Sequence, residues 1–322
     1  MNTLITSVGG HVPLIRAARE ACNNIGNRGK VFGGDLNPKC VARCFLDGFW
    51  KMPELNRLRV EDVLNYCSQN FISVVIPTRD QELLFFSINK GRFIENGIHV
   101  MVSGEETIRT VTDKLAFFHA LERVGRPGIP TFEKIDDMDS DFYVVKERYG
   151  TGSKMLGSRL MKNEAIAHAR QVVTPIFQPH IEGTEYSADV YVDNMGRTKG
   201  AVVRVRDLIQ NGAAVVTTTV QNPVFEEACA GVAEALGLRG HGVIQFLVGG
   251  NGAIYFLECN ARWGSASSIG PQVGLKSIWW FMMESMGVPL DTVPFIRSGD
   301  KCQVLYTAEL VFDANEPYRP SL

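Results

Sequence analysis

The sequence predicts an α/β region followed by an α+β region, and three observations carry that reading. Through the first third, short apolar runs alternate with helix-length segments, as a parallel βαβ sheet requires. That alternation stops near Val111. Beyond it, residues 141–161 read as two strands around a glycine-bearing loop, and residues 243–262 as a β-hairpin turning at Gly249-Gly250-Asn251-Gly252. At 322 residues the chain is long enough for more than one domain, and the expected divisions are 1–106, 107–175 and 176–322.

In chain order, residues 4–8 form a strand, Gly9-Gly10 a turn, residues 12–21 an amphipathic helix, and residues 30–35, 73–77 and 98–102 further strands. Gly9-Gly10 lacks the G-x-G-x-x-G spacing of a dinucleotide site, so a tight strand-to-helix turn is the preferred reading. Asp35 then carries little weight as a ribose ligand, and the domain reads as a platform. Thr112-Asp113 is a helix N-cap region and Lys114 starts the helix that runs to Val124. Residues 141–146 make a strand ending in Lys146, and the loop that follows holds Gly150, Gly152 and Ser153. It lacks the G-x-x-x-x-G-K-[ST] spacing and the following helix of a Walker loop. What fits is a hairpin folding over phosphates, with backbone N–H groups and Ser153 as donors; a plain turn is the alternative.

The hairpin at 243–262 is the most informative stretch. Glu258 and Asn260 are two residues apart on a strand and so point to one face, while the turn brings Gln245 across from them. Carboxylate and amide oxygens clustered in this way suit a hard cation such as Mg²⁺. Arg262 follows, where a guanidinium can neutralise a phosphoryl group in transfer. On residues 201–206, Arg204 and Arg206 share a strand face; they are either a carboxylate clamp or an ordinary ion-pairing pair.

Composition narrows the partners. Net charge is −2 and the basic residues are scattered, which argues against nucleic acid. Seven cysteines without a CxxC pair fit reduced thiols, and no apolar run approaches a membrane span, so a cytoplasmic protein without a membrane partner is expected. The six histidines have no metal-ligand spacing. Trp279 and Trp280 read as core or subunit interface, residues 263–268 as a loop able to line a pocket, and residues 315–322 as a mobile tail.

Taken in order, Lys114, Lys146 before its glycine loop, the extended segment at 178–181, Glu185, then Gln245, Glu258, Asn260 and Arg262 resemble the ATP-grasp superfamily, most closely its carbamoyl-phosphate-synthase-like branch. The resemblance covers nearly the whole chain. It implies an ATP-grasp fold preceded by a Rossmann-like parallel α/β (pre-ATP-grasp) domain, with ATP and two Mg²⁺ ions as cofactors and Mn²⁺ as an alternative. It further implies that Lys114, Lys146, Gly152 and Ser153 contact phosphates, and that Gln178, Pro179 and Ile181 form the adenine hinge. Glu185 would bind the ribose. Gln245 and Glu258 would hold one metal, and Glu258 with Asn260 the second. Gln178 departs from the family's usual acidic residue. The implied activity is an ADP-forming ligase that joins a small-molecule carboxylate to an amine or thiol through an acyl phosphate, with Arg204, Arg206, Asn260 and Arg262 serving the chemistry. A kinase or a non-catalytic nucleotide-binding subunit remains the alternative, and a homodimer is left open. Without an internal repeat the chain is expected to be a free-standing ligase rather than a two-unit synthase.

Overall fold

The structure is a computed structural model describing residues 1–26, 29–150, 155–210 and 212–311. Its first part runs β1 (Asn2–Thr6), α1 (Val12–Asn24), β2 (Val31–Asp35), β3 (Gly48–Lys51), α2 (Val60–Gln69), β4 (Ile72–Pro77), α3 (Asp80–Ile88), α4 (Lys90–Glu95) and β5 (His99–Val100). The strands form one parallel sheet in the order β3-β2-β1-β4-β5, as the alternation predicts. The runs of β1 and β4 are almost wholly buried because both faces of a parallel sheet are covered. β3 was not foreseen: it is a half-exposed edge strand of sequence GFWK, without an apolar run to announce it. At the β1–α1 junction Gly9 takes φ +41°, and its N–H donates to Asp35 Oδ2 at 2.8 Å, while Asn37 N–H donates to Oδ1 at 2.9 Å. Asp35 therefore braces the tight turn, and both its oxygens are engaged.

The second part runs α5 (Glu105–Thr112), α6 (Lys114–Arg123), β6 (Tyr143–Glu147), β7 (Gly157–Leu160), α7 (Lys162–Ala169) and β8 (Pro175–Pro179). Asp113 separates the two helices because its carboxylate accepts from Leu115 N and Ala116 N, capping α6. A small antiparallel sheet has the order β7-β6-β8. The division expected after residue 175 cuts β8, which pairs with β6; an extended run does not announce which neighbour it will join.

Third come β9 (Gly183–Val192), β10 (Thr198–Gln210), β11 (Ala213–Val220), α8 (Pro223–Ala235), β12 (Gly240–Gly249), β13 (Ile254–Asn260), α9 (Ile269–Gln272), α10 (Ser277–Ser285) and β14 (Cys302–Val304). Six of these strands make an antiparallel sheet, β13-β12-β9-β10-β11-β14. Alternation sends Tyr186, Phe246 and Phe256 to its apolar face, where Tyr186 stacks on Phe246 with centroids 5.3 Å apart and Phe225 of α8 packs edge-on. Glu185, Arg206 and Gln245 consequently face the other way.

Both large apolar cores cross the boundary between the N-terminal sheet and the rest of the chain. One joins Val75 and Phe86 to Val190, Val232 and Phe246; the other joins Ile5, Leu14 and Ile76 to Tyr191, Trp263 and Trp280. Trp280 is thus core, as one of its two readings held, and Trp279 packs at the rim of the same cluster. All seven cysteines are free, and among the described residues no helix is long and apolar enough to cross a membrane. The tail at 315–322 lies outside the described residues.

Candidate active site

The hairpin of β12 and β13 places Gln245 directly opposite Glu258, and Val243 opposite Asn260. One residue further the register slips: Phe246 pairs with Phe256, leaving Leu257 as an extra residue in β13. A bulge of this kind re-aims side chains. Here it turns Leu257 and Glu258, adjacent in sequence, toward the same cleft. In sheet register Gln245 neighbours Ser187 and Leu247 neighbours Glu185, so the polar residues of β9, β10, β12 and β13 lie side by side on one face. Asn260 Nδ2 donates to Glu258 Oε1 at 3.2 Å. With the amide oxygens of Gln245 and Asn260, which here accept from Arg206 and Arg262, that carboxylate makes a donor set that fits Mg²⁺. Among the described residues no group of three His, Cys, Asp or Glu side chains could hold a metal, so any such site depends on these amides.

Above this face lies a cleft of about 1000 Å³, roofed by the small sheet. Lys114, Lys146, Gln178, Pro179, Ile181, Glu185, Arg206, Gln245 and Glu258 all line it, together with apolar Ile129, Val144, Leu247 and Leu257. Lys146 is desolvated there, which lowers its pKa to about 8; Glu258 pulls it up, Lys114 pushes it down and Glu185 pulls it up. Lys114 Nζ donates to the carbonyl of Gly150 at 2.7 Å, joining the start of α6 to the root of the glycine loop. That root is held twice more, since Arg148 Nε and Nη2 bond the Asp113 carboxylate at 2.8 and 2.7 Å and Tyr149 Oη donates to it at 3.1 Å. Gly152 and Ser153 lie outside the described residues, while Tyr149, Gly150, Met155 and Leu156 on either side of them line the cleft.

Where the hinge is expected, Gln178 is buried and its amide nitrogen donates to Thr131 Oγ1 at 2.8 Å, which ties the side chain, at the wall of the cleft, to Thr131. His180 N–H donates to Phe142 O at 2.9 Å, which puts the Pro179 carbonyl, one residue earlier, on the opposite edge of β8. Ile181 N–H has no partner among the described residues. A carbonyl acceptor and a free N–H at this spacing match the edge of an adenine ring.

Arg204 and Arg206 take different surroundings although they share a face. Arg206 bonds Glu185 through Nη1, reaches Gln245 Oε1 at 3.2 Å and donates to Gly212 O at 2.7 Å, all at the cleft. Arg204 is 4% exposed and its Nε donates to Asp189 Oδ2 at 2.8 Å. Asp189 also accepts from Ser267, and His241 sits between Ser267 and Ser277. Arg204 thus belongs to a buried ionic network away from the cleft. The loop at 263–268 covers that network instead of lining a pocket, with Trp263, Ala266 and Ser267 all buried. Trp263 is too large and apolar to be left at a solvent-filled rim.

On the far side a smaller cavity of about 280 Å³ shares Lys114, Tyr149, Gly150 and Glu258 with the cleft and adds Asn260, and Arg262 lies behind its wall. Its guanidinium bonds Asp80 Oδ2 at 2.5 Å and Asn260 Oδ1 at 3.3 Å. Asp80 and Gln81, which also line this cavity, come from α3 of the N-terminal part and were not singled out in the sequence. The signal that could have found them is positional: they follow β4 at the carboxyl end of an open parallel sheet, where such sheets form crevices.

With this geometry, residues 111–266 match the family profile of an ATP-grasp domain, and residues 3–101 that of a PylC-like N-terminal domain. The chain therefore carries an ATP-grasp domain, a fold whose enzymes use ATP and Mg²⁺. Similar solved structures share the fold at low identity. The biotin carboxylase domain of Hydrogenobacter thermophilus 2-oxoglutarate carboxylase, in complex with MgADP, ADP and bicarbonate, superposes with TM-score 0.75 at 15% identity over 94% of this chain and 73% of its own. Biotin carboxylase from Campylobacter jejuni gives 0.72 at 15% identity, covering 94% and 74%. N5-carboxyaminoimidazole synthetase from Staphylococcus aureus gives 0.66 at 16% identity, covering 89% and 78%. No curated protein sequence matches the chain.

Proposed function

We propose that the protein is an ADP-forming ligase that activates a small-molecule carboxylate as an acyl phosphate and passes the acyl group to an amine. The observation that carries this reading is the in-register pair Gln245 and Glu258 facing Lys114 and Lys146 across one cleft. Ile129, Val144, Leu247 and Leu257 supply apolar walls for a flat base, with the Pro179 carbonyl and Ile181 N–H at its edge. On this reading Glu185 binds the ribose, and the two lysines the phosphates. Gln245, Glu258 and Asn260 are the residues that would hold Mg²⁺, which neutralises phosphate charge when bound. Arg262 lies next to Asn260, on the side where a transferred phosphoryl group would be met. A carboxylate oxygen attacks the γ-phosphorus as the bond to the β-phosphate oxygen breaks and ADP leaves. An amine nitrogen then attacks the acyl carbon, phosphate departs, and the amine loses a proton. Positioning and charge suffice for both steps, without a nucleophilic side chain.

The experiment is a screen of acid and amine pairs for ATP-dependent phosphate release. A ligase releases ADP and phosphate when both partners are present; a kinase keeps the phosphate on its product, and a binding module releases neither. Glu258→Gln should retain the fold and lose at least about a hundredfold in turnover, the scale of removing one electrostatic stabiliser. Near-normal turnover by a folded Glu258→Gln protein would sink the metal assignment.

A further inference from the structure

We infer that Asp80, contributed by α3 of the N-terminal part, is a positioning residue that holds the Arg262 guanidinium toward the phosphoryl group in transfer. The inference rests on the ATP-grasp ligase reading above and adds to it that the N-terminal domain completes the site rather than serving as a platform.

Asp80 opens the first turn of α3, at the carboxyl end of β4, 182 residues from Arg262. Its Oδ2 takes Nη2 of Arg262 at 2.5 Å, with both side chains mostly shielded from solvent. A charge-assisted bond between shielded groups is short and directional, so it fixes where a flexible arginine points. The same Nη2 reaches Asn260 Oδ1 at 3.3 Å, and Nη1 reaches Trp263 O at 3.3 Å. Nε, in contrast, is buried without a partner among the described residues. The guanidinium is therefore anchored through both Nη1 and Nη2, and two of its partners' residues, Asp80 and Asn260, line the small cavity. Asp80 is also on the wall of the small cavity, beside Glu258 and Asn260, so the anchor and the candidate metal ligands border one space.

A purely structural role for this ion pair is the competing account. The two parts of the chain are already joined by large apolar cores, which include Ile5, Leu14 and Ile76 on one side and Tyr191, Trp263 and Trp280 on the other. Docking of the domains thus has another cause, and the bond from Asp80 acts locally on Arg262.

The test compares MgADP alone with MgADP plus aluminium fluoride, a mimic of the phosphoryl group in transfer, on the full chain by calorimetry and by the rate of nucleotide release. In the wild type, aluminium fluoride should tighten MgADP, and failure to do so would overturn the ligase reading on which the inference rests; Arg262→Ala should abolish the tightening, and tightening that survives it overturns the inference itself. Given both, Asp80→Asn should reduce the tightening by about tenfold, the scale of one charge-assisted bond, while affinity for MgADP alone stays within about twofold. Asp80→Glu should recover part of the loss. Unchanged tightening in a folded Asp80→Asn protein overturns the inference. So does a loss of MgADP affinity equal to the loss of tightening, or a fall in thermal midpoint that Asp80→Glu shares, because those are the marks of a structural contact.

Discussion

Lys146 is the residue whose surroundings most change its chemistry. Its ammonium is desolvated in the cleft and titrates at about 8, against an ordinary 10.5. A lysine depressed in the folded state leaves the unfolded chain binding more protons between these values. Its contribution therefore makes the nucleotide-free protein more stable as pH rises from about 8 to 10.5. A polyphosphate reverses the local field and favours the charged form. ATP binding above pH 8 should then take up close to one proton, and affinity should fall with rising pH, both readable by calorimetry in buffers of different ionisation enthalpy; Lys146→Met should remove the proton uptake. Arg204 calls for the opposite test. The acceptor clamp proposed for it on sequence grounds does not suit its place beside Asp189, so Arg204→Ala should cost about 3–5 kcal/mol by taking the arginine partner from a buried carboxylate that keeps only Ser267 and His241. Urea unfolding measures that loss. If stability is unchanged while acid-dependent turnover collapses, the clamp reading returns.

Among the elements, the small sheet is the part that the proposed function expects to respond to nucleotide. Its own core is a separate cluster that includes Ile135, Tyr143, Val145 and Phe177, so it can shift without disturbing the two larger cores. The loop root is tied to α6 through Asp113, Arg148 and Tyr149, and Lys114 is held by the Gly150 carbonyl. On the proposed reading, nucleotide phosphates would compete with that carbonyl for the ammonium, coupling ATP binding to the position of the loop root. Hydrogen exchange should therefore slow more at residues 155–160 than in β1–β5 when ATP and Mg²⁺ are added. Equal protection in both would count against a responsive loop.

At the scale of the molecule, two cores shared between the N-terminal sheet and the six-stranded sheet make separate unfolding of the parts unfavourable, because either part alone would expose an apolar face. Trp280→Ala should cost about 3–5 kcal/mol. It should lower the midpoints of N-terminal and nucleotide-site probes together in one denaturation curve. Separate transitions would show that the shared core does not couple them.

The parallel sheet was legible because β1, β2 and β4 are buried apolar runs at regular spacing, and the β12–β13 hairpin because a glycine turn separates two such runs. The ordered lysines, Glu185 and the Glu258-x-Asn260-x-Arg262 stretch were legible as chemistry, since residue type and strand alternation are local properties. Other decisions depended on contacts distant in sequence. Arg204 and Arg206 occupy the same face, yet one meets Asp189 under Trp263 and the other meets the cleft, a difference set by which loop covers which end of the sheet. The bulge at Leu257 arises only when β13 is paired with β12. Asp80 reaches Arg262 only after the two sheets dock. Local periodicity therefore determined the elements and the residue types of the site, whereas tertiary packing decided which of those residues share it, because burial and charge pairing are properties of neighbours that the chain brings together only on folding.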